Sequence, residues 1–162
     1  MVVQLRELSE KNKIDISTAE KINMHDISDN YLLRKDDLVF RSRGMDSTAA
    51  IMDISSDNII LSAPFQRIRL RDRAAIIPEY LLWYINSKEA QTYFAINKTG
   101  TSVVMISTAV LMDLPVVIPS LEIQKKIVAI NFLSEREIEI QEELIRKKKL
   151  LTETLLLKTL EL

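Results

Sequence analysis

The sequence predicts an α+β protein in which a small twisted β-sheet with short helices precedes a long C-terminal α-helix of the coiled-coil type. Between residues 31 and 73, apolar and polar residues alternate in short segments separated by turn-forming residues, which is the pattern of strands. After Pro119, neither glycine nor proline occurs in 43 residues rich in Glu, Lys, Leu and Ile, which favours one continuous helix. We therefore expect two domains, over residues 1–118 and 119–162.

Arginines recur at every second position in two of the predicted strands. Because alternate side chains of a strand point to the same face, this spacing predicts two rows of guanidinium groups on one surface. Such groups bind phosphates and hold guanine through two hydrogen bonds, but the same alternation also marks the solvent side of a half-buried sheet. The candidate DNA-contacting arginines are Arg41, Arg43, Arg67, Arg69 and Arg71.

Helix signals follow the strands. Pro78 stands at a favourable first helical position, and Ser87 and Ser107 are predicted N-caps of two further short helices. The segment 115–119 is bounded by prolines and is predicted to be extended. The aromatic residues of the first helix are assigned to its packing face rather than to a base-stacking platform: Tyr80, Trp83 and Tyr84.

A polar loop over residues 97–102 contains Gly100, and the only other glycine in the chain is Gly44. Each glycine is expected to mark a backbone conformation that a side chain would spoil. A flexible loop with one cation and three hydroxyl groups suits contact with phosphates or base edges, although an ordinary connector has the same composition. Its candidate DNA-binding residues are Lys98, Thr99, Thr101 and Ser102.

Composition excludes several classes of protein. The chain has 162 residues, 47% of them hydrophobic, which is enough for one domain with a core plus an appended element. It has no cysteine and a net charge of −1, which exclude a disulfide framework and a polycation that coats nucleic acid by charge alone. Arg6 and Glu7 interrupt any signal-peptide core, so a soluble, cytoplasmic protein is expected.

The predicted helix would be about 60 Å long and needs a partner for its apolar stripe. Five glutamates between residues 135 and 143 precede the basic run 146–149, so an antiparallel identical helix centred near Leu144 and Ile145 would set acid against base. Pairs within one helix would explain the same charges. The predicted dimerisation stripe, interrupted at Glu137 and Lys147, comprises Ile127, Ile130, Leu133, Ile140, Leu144, Leu151, Leu155 and Leu162.

No residue pattern indicates catalysis, a cofactor or a metal. Two glycines 56 positions apart cannot form a phosphate-binding loop, and a methyltransferase would need a glycine cluster that the sequence lacks. The only histidine, His25, is interpreted as a surface or capping residue. Asp36 and Asp37 are predicted to form a solvated turn, and a metal-dependent hydrolase built on these three residues is a weak rival hypothesis.

Residues 113–128 resemble the hallmark of type I restriction-modification specificity subunits, in which an extended segment ending in proline meets a helix. The matching residues are Pro119, Leu121, Glu122, Gln124, Ile127 and Val128. The resemblance continues upstream in residues 32–44, 78–82, 100–101 and 106–107. In two places the chain departs from the family, which often has glycine where Asp36 stands and a second glycine within 45–48.

The resemblance implies a target-recognition domain over residues 1–118 and a helix over 119–162 for dimerisation and subunit docking. Specificity subunits bind double-stranded DNA and direct methyltransferase and endonuclease subunits without catalysing a reaction. A full subunit has two recognition domains and two helices, so this chain is expected to be a half-subunit that pairs antiparallel and reads a bipartite, palindromic site, or else a fragment. The alternative is a coiled-coil adaptor that does not bind DNA.

Overall fold

The computed structural model describes residues 2–3, 12, 14, 16–19, 31–44, 47–55, 59–63, 65–100 and 104–160, and it confirms the α+β fold. A 3₁₀ turn covers Ile16–Thr18. The remaining elements of the described chain are β1 (Val2–Val3), β2 (Leu38–Arg41), β3 (Ala49–Ile51), β4 (Ile60–Leu61), β5 (Phe65–Ile68), α1 (Pro78–Ile85), α2 (Lys88–Asn97), α3 (Thr108–Met112) and α4 (Leu121–Leu160).

Strands β3, β2 and β5 form an antiparallel sheet in that order, while β1 and β4 pair in parallel. The central strand β2 is buried on both faces, since Leu38, Val39 and Phe40 are all inaccessible to solvent. The centroid of the Phe40 ring lies 5.1 Å from the centroid of the Phe94 ring, which is on α2. The opposite face, with Val39, packs against a cluster of Ile14, Leu33, Ala50, Met52 and Ile59.

The alternation of polar and apolar residues was also compatible with a sheet that has one face in solvent. This interpretation is wrong for β2, because both of its faces are covered. Alternation in the sequence reports which residues share a face, but it does not report what covers each face. Here α2 covers the Phe40 face, and residues from before β2 and from around β4 cover the Val39 face.

The predicted helix starts are confirmed. Pro78 is the first residue of α1. The Ser87 hydroxyl accepts a hydrogen bond from the Ala90 N–H at 3.3 Å, and the Ser107 hydroxyl accepts one from the Val110 N–H at 3.2 Å. Each serine thus satisfies a backbone donor that has no partner within its helix.

The residue after α1 covers the outer edge of β3. The Asn86 Nδ2 donates to the Ala49 carbonyl at 3.0 Å, and its Oδ1 accepts from the Ala49 N–H at 2.8 Å. These are the two bonds that a neighbouring strand would make. A single side-chain amide therefore replaces a strand at this position and connects the helical layer to the sheet.

The proline-bounded segment that leads to α4 contains no helix, turn or bend, which agrees with the predicted extended chain, and side chains bind its backbone. The Tyr84 hydroxyl donates to the Pro115 carbonyl at 2.8 Å, and the Tyr80 hydroxyl donates to the Val117 carbonyl at 2.7 Å. Burial, and secondarily the neighbouring Tyr84, raises the pKa of the Tyr80 phenol. The predicted packing role of these tyrosines is confirmed for Tyr80, which is buried.

Gln124, in the first turn of α4, is completely buried. Its Oε1 accepts from the Ile77 N–H at 3.0 Å, and its Nε2 donates to the carbonyls of Ala75 at 2.9 Å and Pro119 at 2.8 Å. A buried amide with three of its four hydrogen bonds satisfied is a specific anchor. It ties the first turn of α4 to the loop before α1.

Helix α4 is continuous over 40 residues, which confirms the predicted long helix. The chain divides into two compact units, residues 1–124 and 125–162, so the first turn of α4 belongs to the first unit. None of the described helices is long and apolar enough to cross a membrane.

Candidate nucleic-acid interface

The arginines of β5 do not form the predicted row on one strand. The strand ends at Ile68, so Arg69 and Arg71 lie beyond it. Arg67 pairs with Val39 of β2, and residues paired directly across an antiparallel sheet share a face. Arg67 is therefore on the face that packs against the apolar cluster, and it is partly buried.

Arg69 is bound within the first unit. Its Nε and Nη2 donate to the two oxygens of Asp37 at 2.7 and 2.6 Å, and Nη2 also donates to the Leu32 carbonyl at 3.0 Å. The Arg67 Nη1 donates to the same carbonyl at 2.8 Å. Asp37 is 1% exposed and also accepts from the Arg34 N–H at 2.7 Å. This bidentate pair holds the turn before β2 against the end of β5.

The predicted solvated turn at Asp36–Asp37 is therefore wrong for Asp37. Asp36 pairs with Arg73 at 2.7 Å in a more exposed ion pair. Asp36 has φ +68°, in the left-handed region where glycine is unstrained and Asp is tolerated. This conformation explains physically why glycine suits the position. It also shows that the departure from the family pattern leaves the turn intact.

A second basic group forms where two distant loops meet. Met105 bridges to both Arg43 and Thr99. The Gly44 N–H donates to the Val104 carbonyl at 3.1 Å, and the Ile106 N–H donates to the Ser42 carbonyl at 2.8 Å. The result is a three-segment backbone ladder that continues β2 at its C-terminal end.

We call this ladder with its exposed residues the loop edge: Arg43, Gly44, Lys98, Thr99 and Gly100. Both glycines have positive φ, +113° and +98°, which confirms that each marks a special backbone conformation. The side chains of Arg43, Lys98 and Thr99 are exposed, and no acidic residue occurs in the described segments 42–44, 97–100 and 104–106. Thr101 and Ser102, the other predicted members, lie outside the described residues.

The two basic groups lie at opposite ends of the β2–β5 pair. Arg41 is paired with Phe65 and Leu38 with Ile68, so the loop edge continues from one end and Arg69 lies at the other. Arg69 binds Asp37, and Arg43 follows Asp37 by about six residues along the chain. At about 3.3 Å per residue of strand, Arg43 and Asp37 are about 20 Å apart. Arg41 is partly buried between the two groups.

A cleft of about 630 Å³ opens beside β5. Its lining includes Arg67, Arg69 and Arg71 together with apolar residues of α1 and α3, such as Leu81 and Leu111. Arg71 is the most exposed of the three arginines. The cleft thus has a lining that combines cationic and apolar residues.

The exposed surface of α4 carries the predicted stripe. From Ile130 to Leu155 every described member is at least half exposed, and Ile127 is partly buried; Leu162 lies outside the described residues. Ion pairs also occur within the helix, between Glu143 and Lys147 at 2.8 Å and between Arg136 and Glu139 at 2.8 Å. The hydrogen bond and charge of Lys147 lower the pKa of the Glu143 carboxyl.

The rival hydrolase loses support from the positions of its carboxylates. Asp36 and Asp37 each bind an arginine instead of facing each other across an open site. The described residues contain no group of three or more His, Cys, Asp or Glu side chains that could hold a metal ion. His25 lies outside the described residues.

The structural roles of three residues that organise the first unit were not predicted from the sequence: Asp37, Asn86 and Gln124. Only Gln124 had a signal, because it is one of the residues that carry the resemblance to specificity subunits. Asp37 and Asn86 bind residues 32 and 37 positions away, and no local pattern reports such contacts.

These observations define a class of protein with a small mixed domain, exposed cations on loops and a long helix with an uncovered apolar stripe. The family model of the type I restriction modification DNA specificity domain matches residues 3–149. The chain belongs to this family, and the predicted relationship to specificity subunits is confirmed. No curated protein matches the sequence.

Proposed function

We propose that the chain is a half-subunit of a type I restriction-modification specificity protein, which binds DNA and directs methyltransferase and endonuclease subunits to a bipartite site. The observation that carries this proposal is the family match over residues 3–149. In this proposal residues 1–118 recognise the target, residues 119–162 serve dimerisation and subunit docking, and the chain itself catalyses no reaction.

The loop edge is the proposed main DNA contact. Arg43 and Lys98 are exposed, and the backbone ladder holds their segments on the two sides of residues 104–106. The ladder holds the backbone that carries these two cations more rigidly than a free loop would. Gly44 and Gly100 have no side chain, which lets the backbone approach a phosphate closely. The Thr99 hydroxyl donates to the Met105 carbonyl at 3.3 Å within the ladder, so Thr99 is proposed to accept a bond at the contact, and Thr101 and Ser102 are proposed to supply the hydroxyl donors.

The arginines at the other end of the sheet have a divided role in the proposal. Arg71 is an exposed residue of the cleft lining and is proposed to contact phosphate. Arg69 is already bidentate with Asp37, so its proposed contribution is to hold the end of β5 in position. Arg41 and Arg67 are partly buried and remain candidates for contacts at the sheet surface.

The uncovered stripe of α4 supports homodimerisation. A helix with half-exposed leucine and isoleucine along its length needs a partner surface. Because the recognition domain precedes the helix in each copy, antiparallel pairing would place the two domains at opposite ends of the helix pair. A two-fold symmetric protein reads a two-fold symmetric site, so a palindromic bipartite target is expected.

Removing the two exposed cations of the loop edge tests DNA binding. Duplexes are first selected from a random pool with the wild-type chain, and the affinity of Arg43→Ala/Lys98→Ala is then measured across salt concentrations. Each lost phosphate contact should reduce the log–log salt slope by about one unit, so a reduction of about two is expected, together with weaker binding.

Lys88→Ala is the matched control, because Lys88 is an exposed lysine at the start of α2, outside the loop edge. It should leave the slope close to that of the wild type. Equal slopes for all three proteins would move the interface elsewhere. Failure of the wild-type chain to shift even random-sequence duplex at low salt would favour the adaptor alternative.

A further inference from the structure

Helix α4 contains one heptad series whose positions alternate three and four residues apart, and we call it the seam. Such spacing places all members along one line of contact with a partner helix. All of its apolar members are at least half exposed: Ile130, Leu133, Ile140, Leu144 and Leu151. The seam comprises Ile130, Leu133, Glu137, Ile140, Leu144, Lys147, Leu151 and Thr154.

The seam is symmetric about Glu142. Ile140 stands as far before Glu142 as Leu144 stands after it, and the same holds for Leu133 with Leu151. The two charged members, Glu137 and Lys147, also form such a pair, as do Ile130 and Thr154. In a second copy that runs antiparallel about a two-fold axis beside Glu142, the four central apolar residues therefore meet apolar residues and each charge meets its opposite, while Ile130 at the end of the seam meets Thr154.

We propose that the seam binds the seam of a second copy of this chain in one register, in which Glu137 of each copy pairs with Lys147 of the other. This inference rests on the proposed homodimer and specifies its geometry. It places the centre of the helix pair at Glu142. The blocks of like charge indicated a centre two to three residues later, near Leu144 and Ile145.

Other arrangements leave the seam charges without partners. Sliding the partner by one heptad in either direction sets Lys147 against Leu144 or Ile130, and sets Glu137 against Thr154 or Ile140. Parallel pairing in register sets Glu137 against its own copy. A charge in a helix interface without a counter-charge is strongly unfavourable, so the pair selects one register at some cost in stability.

The contacts within one helix are compatible with this pairing. The Lys147 Nζ lies 2.8 Å from Glu143, and the Gln141 Nε2 donates to Glu137 at 3.3 Å. An ammonium group has three donors and a carboxylate about four acceptor positions, so each charge retains capacity for a bond across the interface. The exposed pair with Glu143 is also weak enough to rearrange.

Charge reversal tests the register in the full chain by sedimentation equilibrium. Glu137→Lys and Lys147→Glu should each weaken the dimer at least about 100-fold, because each leaves like charges in the interface. The double variant Glu137→Lys/Lys147→Glu restores opposite charges and should return to within about tenfold of the wild type. Glu135→Lys makes the same charge change away from the seam and should leave the dimer intact.

Disulfide trapping gives a second readout, since the chain has no cysteine of its own. In the proposed register residue 140 of one copy faces residue 144 of the other. An oxidised mixture of Ile140→Cys and Leu144→Cys should therefore give a cross-linked dimer containing one of each, and neither variant alone should cross-link efficiently.

The outcomes separate the register from the dimer. A wild-type dimer that Glu137→Lys does not weaken, or one that cross-links equally well in either cysteine variant alone, overturns the register and leaves the dimer standing. A wild-type chain that is monomeric at all accessible concentrations overturns both. Binding of DNA is measured independently of either result.

Discussion

Asp37 and Gln124 are polar residues of the first unit and are almost completely buried, whereas Leu144 and Leu151 of α4 are apolar and at least half exposed. Every polar side-chain atom of the buried pair has a partner inside the first unit, through bonds of 2.6 to 3.0 Å. The proposed homodimer would cover these leucines with the helix of a second copy. The first unit is thus stabilised internally, while in the proposed homodimer the helix depends on association.

This contrast predicts how substitutions will depend on protein concentration. Changes in the first unit should lower its free energy of unfolding equally at all concentrations, because only intramolecular contacts are lost. Changes in the seam should act through the dimer and so vary with concentration.

The largest effect is expected for Asp37→Ala. This change leaves the Arg69 guanidinium without its bidentate partner and removes the acceptor of the Arg34 N–H, so the free energy of unfolding should fall by about 3 kcal/mol. Arg73→Ala breaks the neighbouring exposed pair and should cost less than about 1 kcal/mol. Denaturant unfolding at two protein concentrations measures both; similar losses would contradict the assignment of Asp37 as a structural residue.

An intermediate effect is expected for Gln124→Leu. The shape is nearly retained, but the Ile77 N–H and two carbonyls lose their partners, at a cost of about 2 kcal/mol. Lys125→Leu, at the next and exposed position, should change stability by less than about 0.5 kcal/mol. If the Gln124 variant lost stability only at low protein concentration, this residue would belong to the dimer and the contrast between the units would fail.

The smallest effect is expected for Asp36→Gly. Glycine relieves the strain of φ +68°, while the loss of the exposed bond to Arg73 opposes that gain, so the net change should stay within about 0.5 kcal/mol. Valine is strained at this positive φ and has no carboxylate to bind Arg73, so Asp36→Val should destabilise the first unit by about 1 to 2 kcal/mol. Equal stability of the glycine and valine variants would show that the turn does not hold this conformation in solution.

Local signals in the sequence predicted the helical half of the fold correctly. Pro78, Ser87 and Ser107 mark helix starts because each acts on backbone groups within four residues. The 40-residue helix was predictable for a similar reason, since the run contains no helix breaker and is rich in residues with high helix propensity.

The arginines show where prediction from the sequence ended. Spacing placed Arg67, Arg69 and Arg71 on one face of a strand, but the strand stops at Ile68, and Asp37 binds Arg69 from 32 positions away. The loop edge also depends on a third segment, because Met105 bridges to both Arg43 and Thr99 and so links two distant loops. Their roles in DNA binding stay predictions.

The segment between Pro115 and Pro119 has a consequence for how the protein tolerates change. The carbonyls of residues 115, 117 and 119, every second one along an extended chain, accept bonds from Tyr84, Tyr80 and Gln124 in turn. Backbone atoms make these contacts, so the largely exposed side chains of Val117 and Ile118 are free to vary. Its length is not free to vary, because adding or deleting one residue would turn the following carbonyls to the opposite side.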